Sequence, residues 1–221
     1  GSVTGMGDKL LINRELANTG IKVSPLGLGT VKLGRDKGVK YPQGFTIPSD
    51  QEAQTLLHLA QDLGINLIDT APAYGNSEER LGHLLQGQRS DWVICSKVGE
   101  EFDPISGESE YIFTPEHVRF SIERSLTRLK TDYIDMFLVH SDGNDEEIIK
   151  QYGTLQVLEE LKAEGKIRAS GMSTKTVAGG ILALEQSDCA MVTYNLNHQE
   201  ETAVLDYAEE NGQGILLNKA L

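Results

Sequence analysis

Apolar positions change rhythm once along this chain. Residues 10–26 form two extended segments, LLINREL and IKVSPL, around the turn ANTG, and predict a β-hairpin. From residue 27 onward, short runs rich in Val, Ile and Leu alternate with helical patterns. The runs are GLGTV (27–31), INLIDT (65–70), WVICSKV (92–98), YIDMFLVH (133–140), IRASGMS (167–173), AMVTYN (190–195) and GILLNKAL (214–221). Runs this apolar predict strands covered on both faces, and their alternation with helices predicts repeated βα units around a parallel sheet.

Between the runs, helix signals recur. Ser49 with Glu52 forms a capping box, Ala53, Leu56, Leu57, Ala60 and Leu63 follow at one-face spacing, and Gly64 stands where the helix should stop. Thr114 and Pro115 start a second helix with the stripe Val118, Ile122, Leu126 and Leu129. TLQVLEELKAEG and ETAVLDYAEENG behave likewise, each closing on Gly, and no linker or low-complexity segment divides the series.

Repeated βα units close into a (β/α)8 TIM barrel or lie open as a doubly wound sheet. GLGTVK carries Lys32 where a dinucleotide fingerprint needs its third glycine, which argues against the second arrangement. Polar residues end nearly every run: Thr30, Asp69, Lys97, His140, Ser173, Asn195 and Lys219. A barrel gathers those ends at one mouth, where its chemistry is kept. The sequence therefore predicts a TIM barrel with an N-terminal hairpin. It stops at Leu221, after a seventh strand, while such barrels commonly run to about 250 residues, so a longer natural protein is expected.

Length and composition narrow the function. The 221 residues, 39% of them hydrophobic, suffice for one sizeable core; residues 1–5 read as an expression scar and 6–221 as one domain. A formal net charge of −13 disfavours nucleic acid and anionic membrane as partners, so a phosphate-bearing ligand must be met by a local cation. Cys95 and Cys189 lie in apolar runs without metal-ligand spacing and read as reduced core residues of a cytoplasmic protein. No run is long enough to span a bilayer.

Asp69, Tyr74, Lys97 and His140 converge if the barrel closes. A buried Lys97 needs a counter-ion, and Asp69 on the adjacent strand supplies one. An ammonium about 4 Å from a phenol is worth about 4 kcal/mol at an effective dielectric of about 20, which would lower the Tyr74 pKa from about 10 to as low as about 7. A neutral His140 would donate to the same substrate oxygen, holding a carbonyl where negative charge grows during reduction. Taken singly, each residue has a structural explanation: a turn cap for Asp69, packing for Tyr74, snorkelling for Lys97, a core-edge histidine for His140. Their coincidence at one face favours a site. His58, His83 and His117 sit in helical segments and read as surface residues, His198 is open, and Asp135 and Trp92 belong to the opposite end.

The motifs PLGLGT, LIDTAPAYGNSEERLG, VICSKVG, SIERSLTRLKTDYID, MFLVHSDG, LEELKAEGKIRASGMST and MVTYNL, in this order, resemble the aldo-keto reductase family. The resemblance implies a barrel whose hairpin closes its bottom, and reduction of small-molecule aldehydes or ketones with NADPH, or NADH, as cofactor. It makes Asp69, Tyr74, Lys97 and His140 a catalytic tetrad with Tyr74 the proton donor. Gly29, Thr30 and Asp69 would lie beside the cofactor, with Ser173 and Thr174 near the nicotinamide carboxamide. Thr174 stands where many members have asparagine, and Met191 where many have glutamine. Asn218 replaces a common stacking aromatic, and Lys219 beside it reads either as a pyrophosphate contact or as a solvated strand end.

Two other classes compete. A metal-dependent barrel hydrolase would want His and carboxylate ligands at strand ends that here carry Thr, Ser, Asn and Lys. A cofactor-binding redox sensor with little turnover keeps the same residues, since fold does not settle role. Substrate choice is expected from segments 32–48 and 99–113, where Tyr41, Phe45 and Tyr111 are the aromatic candidates, with solvent-edge packing an equally good account of each.

Overall fold

A computed structural model describes residues 14–16, 19–24, 27–34, 47–192, 206 and 214–217. The predicted hairpin is present: β1 (Arg14–Glu15) pairs antiparallel with β2 (Lys22–Val23). The Leu16 amide donates to the Ile21 carbonyl across the turn at 2.6 Å. After it come β3 (Gly27–Gly29), a short α1 (Val31–Gly34) and α2 (Asp50–Asp62). Next are β4 (Leu67–Asp69), α3 (Ser77–Leu84) and β5 (Val93–Val98). A second hairpin, β6 (Glu100–Phe102) with β7 (Ser109–Tyr111), leads to α4 (Pro115–Leu129) and β8 (Ile134–His140). The chain continues through α5 (Asp145–Tyr152), α6 (Thr154–Ala163), β9 (Ile167–Thr174) and α7 (Val177–Gln186) to β10 (Cys189–Val192) and β11 (Gly214–Leu217).

Among the described residues, seven strands, all parallel, form one sheet in the order β11-β10-β9-β8-β5-β4-β3, the arrangement of a (β/α)8 barrel. Two cores follow from the period-two alternation of side chains along each strand. Ile68, Ile94, Phe137, Val139 and Met172 face outward and pack with Leu57, Leu81, Val118, Ile122 and Leu158 of the helices. Leu67, Val93, Cys95, Met136, Leu138, Ala169 and Cys189 face inward, joined by Leu16, Ile21 and Val23 of the first hairpin. Val93 and Leu67 are strand-opening residues, so the hairpin seals the N-terminal end of the sheet. Both cysteines are buried and free, as expected.

The capping box on α2 forms in both directions. The one-face reading of that helix needs correction: Ala53, Leu57 and Ala60 are buried, but Leu56 and Leu63 are 47% and 45% exposed. Five apolar positions span a wider arc than the buried face, so periodicity alone overcounted the contacts. Thr114 caps α4 by accepting from the His117 amide at 3.3 Å, and Val118, Ile122 and Leu129 are buried. At the strand starts, Asp135 accepts from Arg89 Nη2 (2.8 Å), Arg168 Nη1 (3.1 Å) and the Ile94 amide (2.9 Å), a structural role at the end opposite the polar strand ends. Trp92, just before β5, is buried at the same end.

Candidate active site

The inward alternation that places Val93 and Cys95 in the barrel core continues to Lys97 at the end of β5. In the same way Leu67 leads to Asp69, and Leu138 to His140. Register then sets the neighbours: Asp69 lies opposite Cys95, Lys97 opposite Leu138, and His140 opposite Ser173. Lys97, 1% exposed, forms an ion pair with Asp69 Oδ1. Its ammonium also donates to the Thr70 carbonyl at 3.0 Å and to the Tyr74 hydroxyl at 3.4 Å. Three acceptors match its three N–H donors, which is what makes burial of this charge tolerable.

Tyr74 reaches the pair because residues 71–76 turn back on themselves. Its amide donates to the Ala71 carbonyl at 3.0 Å, and its carbonyl accepts from the Ser77 amide at 3.1 Å. Gly75 has φ +60°, and a Cβ there would lie 1.9 Å from the Gly34 carbonyl oxygen; one on Gly34 would lie 2.3 Å from the Tyr74 oxygen. Two glycines are therefore required where α1 presses on the turn. Below it, Thr30 Oγ1 donates to the Asp69 carbonyl (2.8 Å), Ser77 Oγ to Thr30 Oγ1 (2.7 Å), and Thr70 and Ser77 share a 2.9 Å hydrogen bond. The Thr30 hydroxyl thus holds the backbone of Asp69.

The electrostatics overturn one expectation. Burial pushes the Tyr74 phenol above its ordinary value; the Lys97 charge opposes this by less, and Asp69 adds to the rise. The sequence reading counted the ammonium but neither the desolvation of a phenolate nor the carboxylate that neutralises the ammonium. Burial alone would lower Lys97, but Asp69 and then Tyr74 outweigh it, so its pKa rises and it stays charged. The pair accordingly stands beside a neutral phenol.

His140 lies edge-on to Tyr74, with ring centroids 6.5 Å apart and planes at 87°. Its Nε2 is 3.8 Å from Oε1 of Glu100, a buried carboxylate that accepts from Tyr111 Oη (3.1 Å) and Ser109 Oγ (3.0 Å). The sequence reading missed Glu100 and the β6–β7 hairpin that delivers it. The signal was present in EEF and SEY, two extended segments around the Pro and Gly of DPISG. Tyr111, proposed as a pocket aromatic, uses its hydroxyl in this hairpin. His117 departs from the surface reading too: it is half-buried, 3.7 Å from Glu101 Oε1, and burial lowers its pKa against the pull of that carboxylate.

Ser173 and Thr174 are buried at the end of β9 beside His140. Gly29 pairs with Asp69, and a Cβ there would meet no described atom within 4 Å. The hydroxyl groups of Ser173 and Thr174 are of the kind that a carboxamide can hydrogen-bond. Lys219, His198, Asn195, Asn218, Tyr41 and Phe45 lie outside the described residues. Among the described residues no cluster of three or more His, Cys, Asp or Glu is placed to hold a metal ion.

The family model of the aldo/keto reductase family matches residues 25–220. The chain belongs to that family. A solved structure of a Pseudomonas aeruginosa protein assigned to the aldo-keto reductases is 58% identical and superposes with a TM-score of 0.86, over 97% of this chain and 81% of that one. L-galactose dehydrogenase of Arabidopsis thaliana is 33% identical over an alignment of 223 positions that covers 92% of this chain and 63% of its own. NADH-specific methylglyoxal reductase of Escherichia coli is 36% identical over 167 residues, 71% of this chain and 50% of its own. The chain thus spans roughly half to two thirds of the length of these curated aldo/keto reductase relatives.

Proposed function

We propose that this aldo/keto reductase is an NAD(P)H-dependent oxidoreductase that reduces aldehydes or ketones to alcohols, with Tyr74 as proton donor and NADPH as the preferred cofactor. The observation that carries the reading is the buried Asp69–Lys97 pair with its ammonium 3.4 Å from the Tyr74 hydroxyl. Gly29, Thr30, Asp69, Ser173, Thr174 and Lys219 would hold a dinucleotide, which when bound would supply the hydride to the carbonyl carbon. The C=O π electrons move to oxygen, and that oxygen takes the Tyr74 proton. The phenolate left behind is the species that the adjacent ammonium stabilises. His140 donates a hydrogen bond to the same oxygen as charge develops.

The raised Tyr74 pKa suits this role. The phenol holds its proton at neutral pH and releases it only to an oxygen made strongly basic by hydride addition. NADPH preference, small carbonyl substrates and a cytoplasmic location are part of the same proposal. NADH is the alternative cofactor, in keeping with the name of the Escherichia coli relative.

Replacing Tyr74 by Phe tests the assignment. Turnover against a carbonyl panel is expected to fall about 10²- to 10⁴-fold while NADPH and NADH titrations keep their affinities. Wild-type turnover in the variant would overturn the proton-donor role. Tight cofactor binding by a wild type that turns over nothing in the panel would favour the redox-sensing reading.

A further inference from the structure

Asp145 is 1% exposed, and the proposed chemistry does not use it. It opens α5, five residues after His140. Its Oδ1 accepts from Ser141 Oγ. Its Oδ2 accepts from the amides of Lys175 and Thr176 and from Thr176 Oγ1, each at 2.8 Å. Ser141 adjoins His140, and its amide donates to the Ser173 carbonyl at 3.2 Å. Lys175 and Thr176 directly follow Ser173 and Thr174. One carboxylate thus closes a ring of hydrogen bonds across the ends of β8 and β9.

The packing around it is made to admit the carboxylate. A Cβ on Gly179 would come within 2.3 Å of Asp145 Cβ and Oδ2, so a glycine in α7 is what lets the helix approach. Thr176 passes the restraint on by accepting from the Gly179 amide at 3.0 Å, which caps α7. Hydrogen bonds to an ionised acceptor are stronger than neutral ones, and removing the acceptor would leave the two part-buried amides without it.

We propose that Asp145 is a positioning residue that sets the Ser173–Thr174 end of β9 against His140, so that cofactor affinity depends on it more than the chemical step does. This rests on the reading of Ser173 and Thr174 as nicotinamide contacts. A displacement of about 1 Å at a supporting shell is enough to loosen such a site.

The test is calorimetric titration of NADPH and NADH into the wild type and the Asp145→Ala, Asp145→Asn, Ser141→Ala and Asp135→Ala variants, with turnover at saturating cofactor. Asp145→Ala is expected to raise the cofactor Kd about tenfold or more, with saturated kcat within about threefold of wild type. Asp145→Asn retains an acceptor for the amides and recovers most of the affinity. Asp135→Ala removes an equally buried carboxylate at the other end of β8; it lowers Tm and leaves Kd unchanged, which separates local positioning from general destabilisation. Should Asp145→Ala not fold, Ser141→Ala, which cuts the ring on the β8 side, is expected to raise Kd about threefold. Wild-type Kd in whichever of these two variants folds, or an equal loss in Asp135→Ala, overturns the role of Asp145 while the wild type still binds cofactor. A wild type that binds neither dinucleotide overturns the functional reading and this inference together.

Discussion

At the starts of the strands, Asp135 is enclosed by two guanidinium groups and a backbone amide, every partner within 3.1 Å. At their ends, Asp69 holds Lys97, whose ammonium is shared with a backbone carbonyl and, at the longer distance of 3.4 Å, with the Tyr74 hydroxyl. Both carboxylates are buried, and both are paired as burial demands. The difference lies in the third partner. Around Asp135 it is fixed backbone, so the pair can only hold strands and loops together. Around Lys97 it is a titratable hydroxyl in a turn, so the same electrostatics act on a proton. Arginine suits the first task because its planar fork cannot lose its charge; lysine suits the second as a compact cation that several acceptors share.

Breaking the upper pair on one side should show the largest effect. Lys97→Met strands a buried carboxylate and is expected to cost about 3–5 kcal/mol as well as activity. Adding Asp69→Asn should restore much of the stability and none of the turnover; chemical denaturation beside steady-state kinetics reads both. If the double variant regained activity, the pair would be structural, like its lower counterpart. Asp135→Ala should cost about 3 kcal/mol, because two arginines lose their partner, with kcat per folded molecule unchanged.

Alkaline titration sharpens the contrast further. Burial raises the pKa values of Tyr74, Cys95 and Cys189, and Asp69 raises that of Lys97 against its burial. Each native group then keeps its proton at a pH where the unfolded chain has lost it. The native state binds more protons, so stability falls as pH rises, first through the cysteine range near pH about 8.5 and then above about 10. Melting temperatures from pH 7 to about 11 should show this decline, with a smaller slope above pH about 10 in Tyr74→Phe. The smallest single effect is on the exposed side of α2: Leu56→Ala should stay within about 0.5 kcal/mol, whereas Leu57→Ala, on its buried side, should cost about 2–5 kcal/mol.

Much of this was legible in the residues. The seven apolar runs became seven strands, the capping box at Ser49 formed, and the four polar residues from Asp69 to His140 came together at one end. Each of these depends on spacing within a single element or on a property of every parallel sheet. The β6–β7 hairpin was missed because its strands are short and polar, and periodicity weakens when neither face is fully buried. Asp145 was missed for a different reason. Its partners Lys175 and Thr176 lie about thirty positions away, joined by a contact that no local pattern announces.

The order of strands, the inward face of each and the identity of the polar strand ends follow from alternation and residue type, because those rules act within a few residues. The state of the Tyr74 proton does not. A phenol beside an ammonium looks acidic on paper, yet the half-buried position of Tyr74 in its turn disfavours a phenolate, and Asp69 cancels part of the cation's field. Desolvation is a property of the space around a group, set by chain segments remote in sequence, and in that space burial outweighed charge.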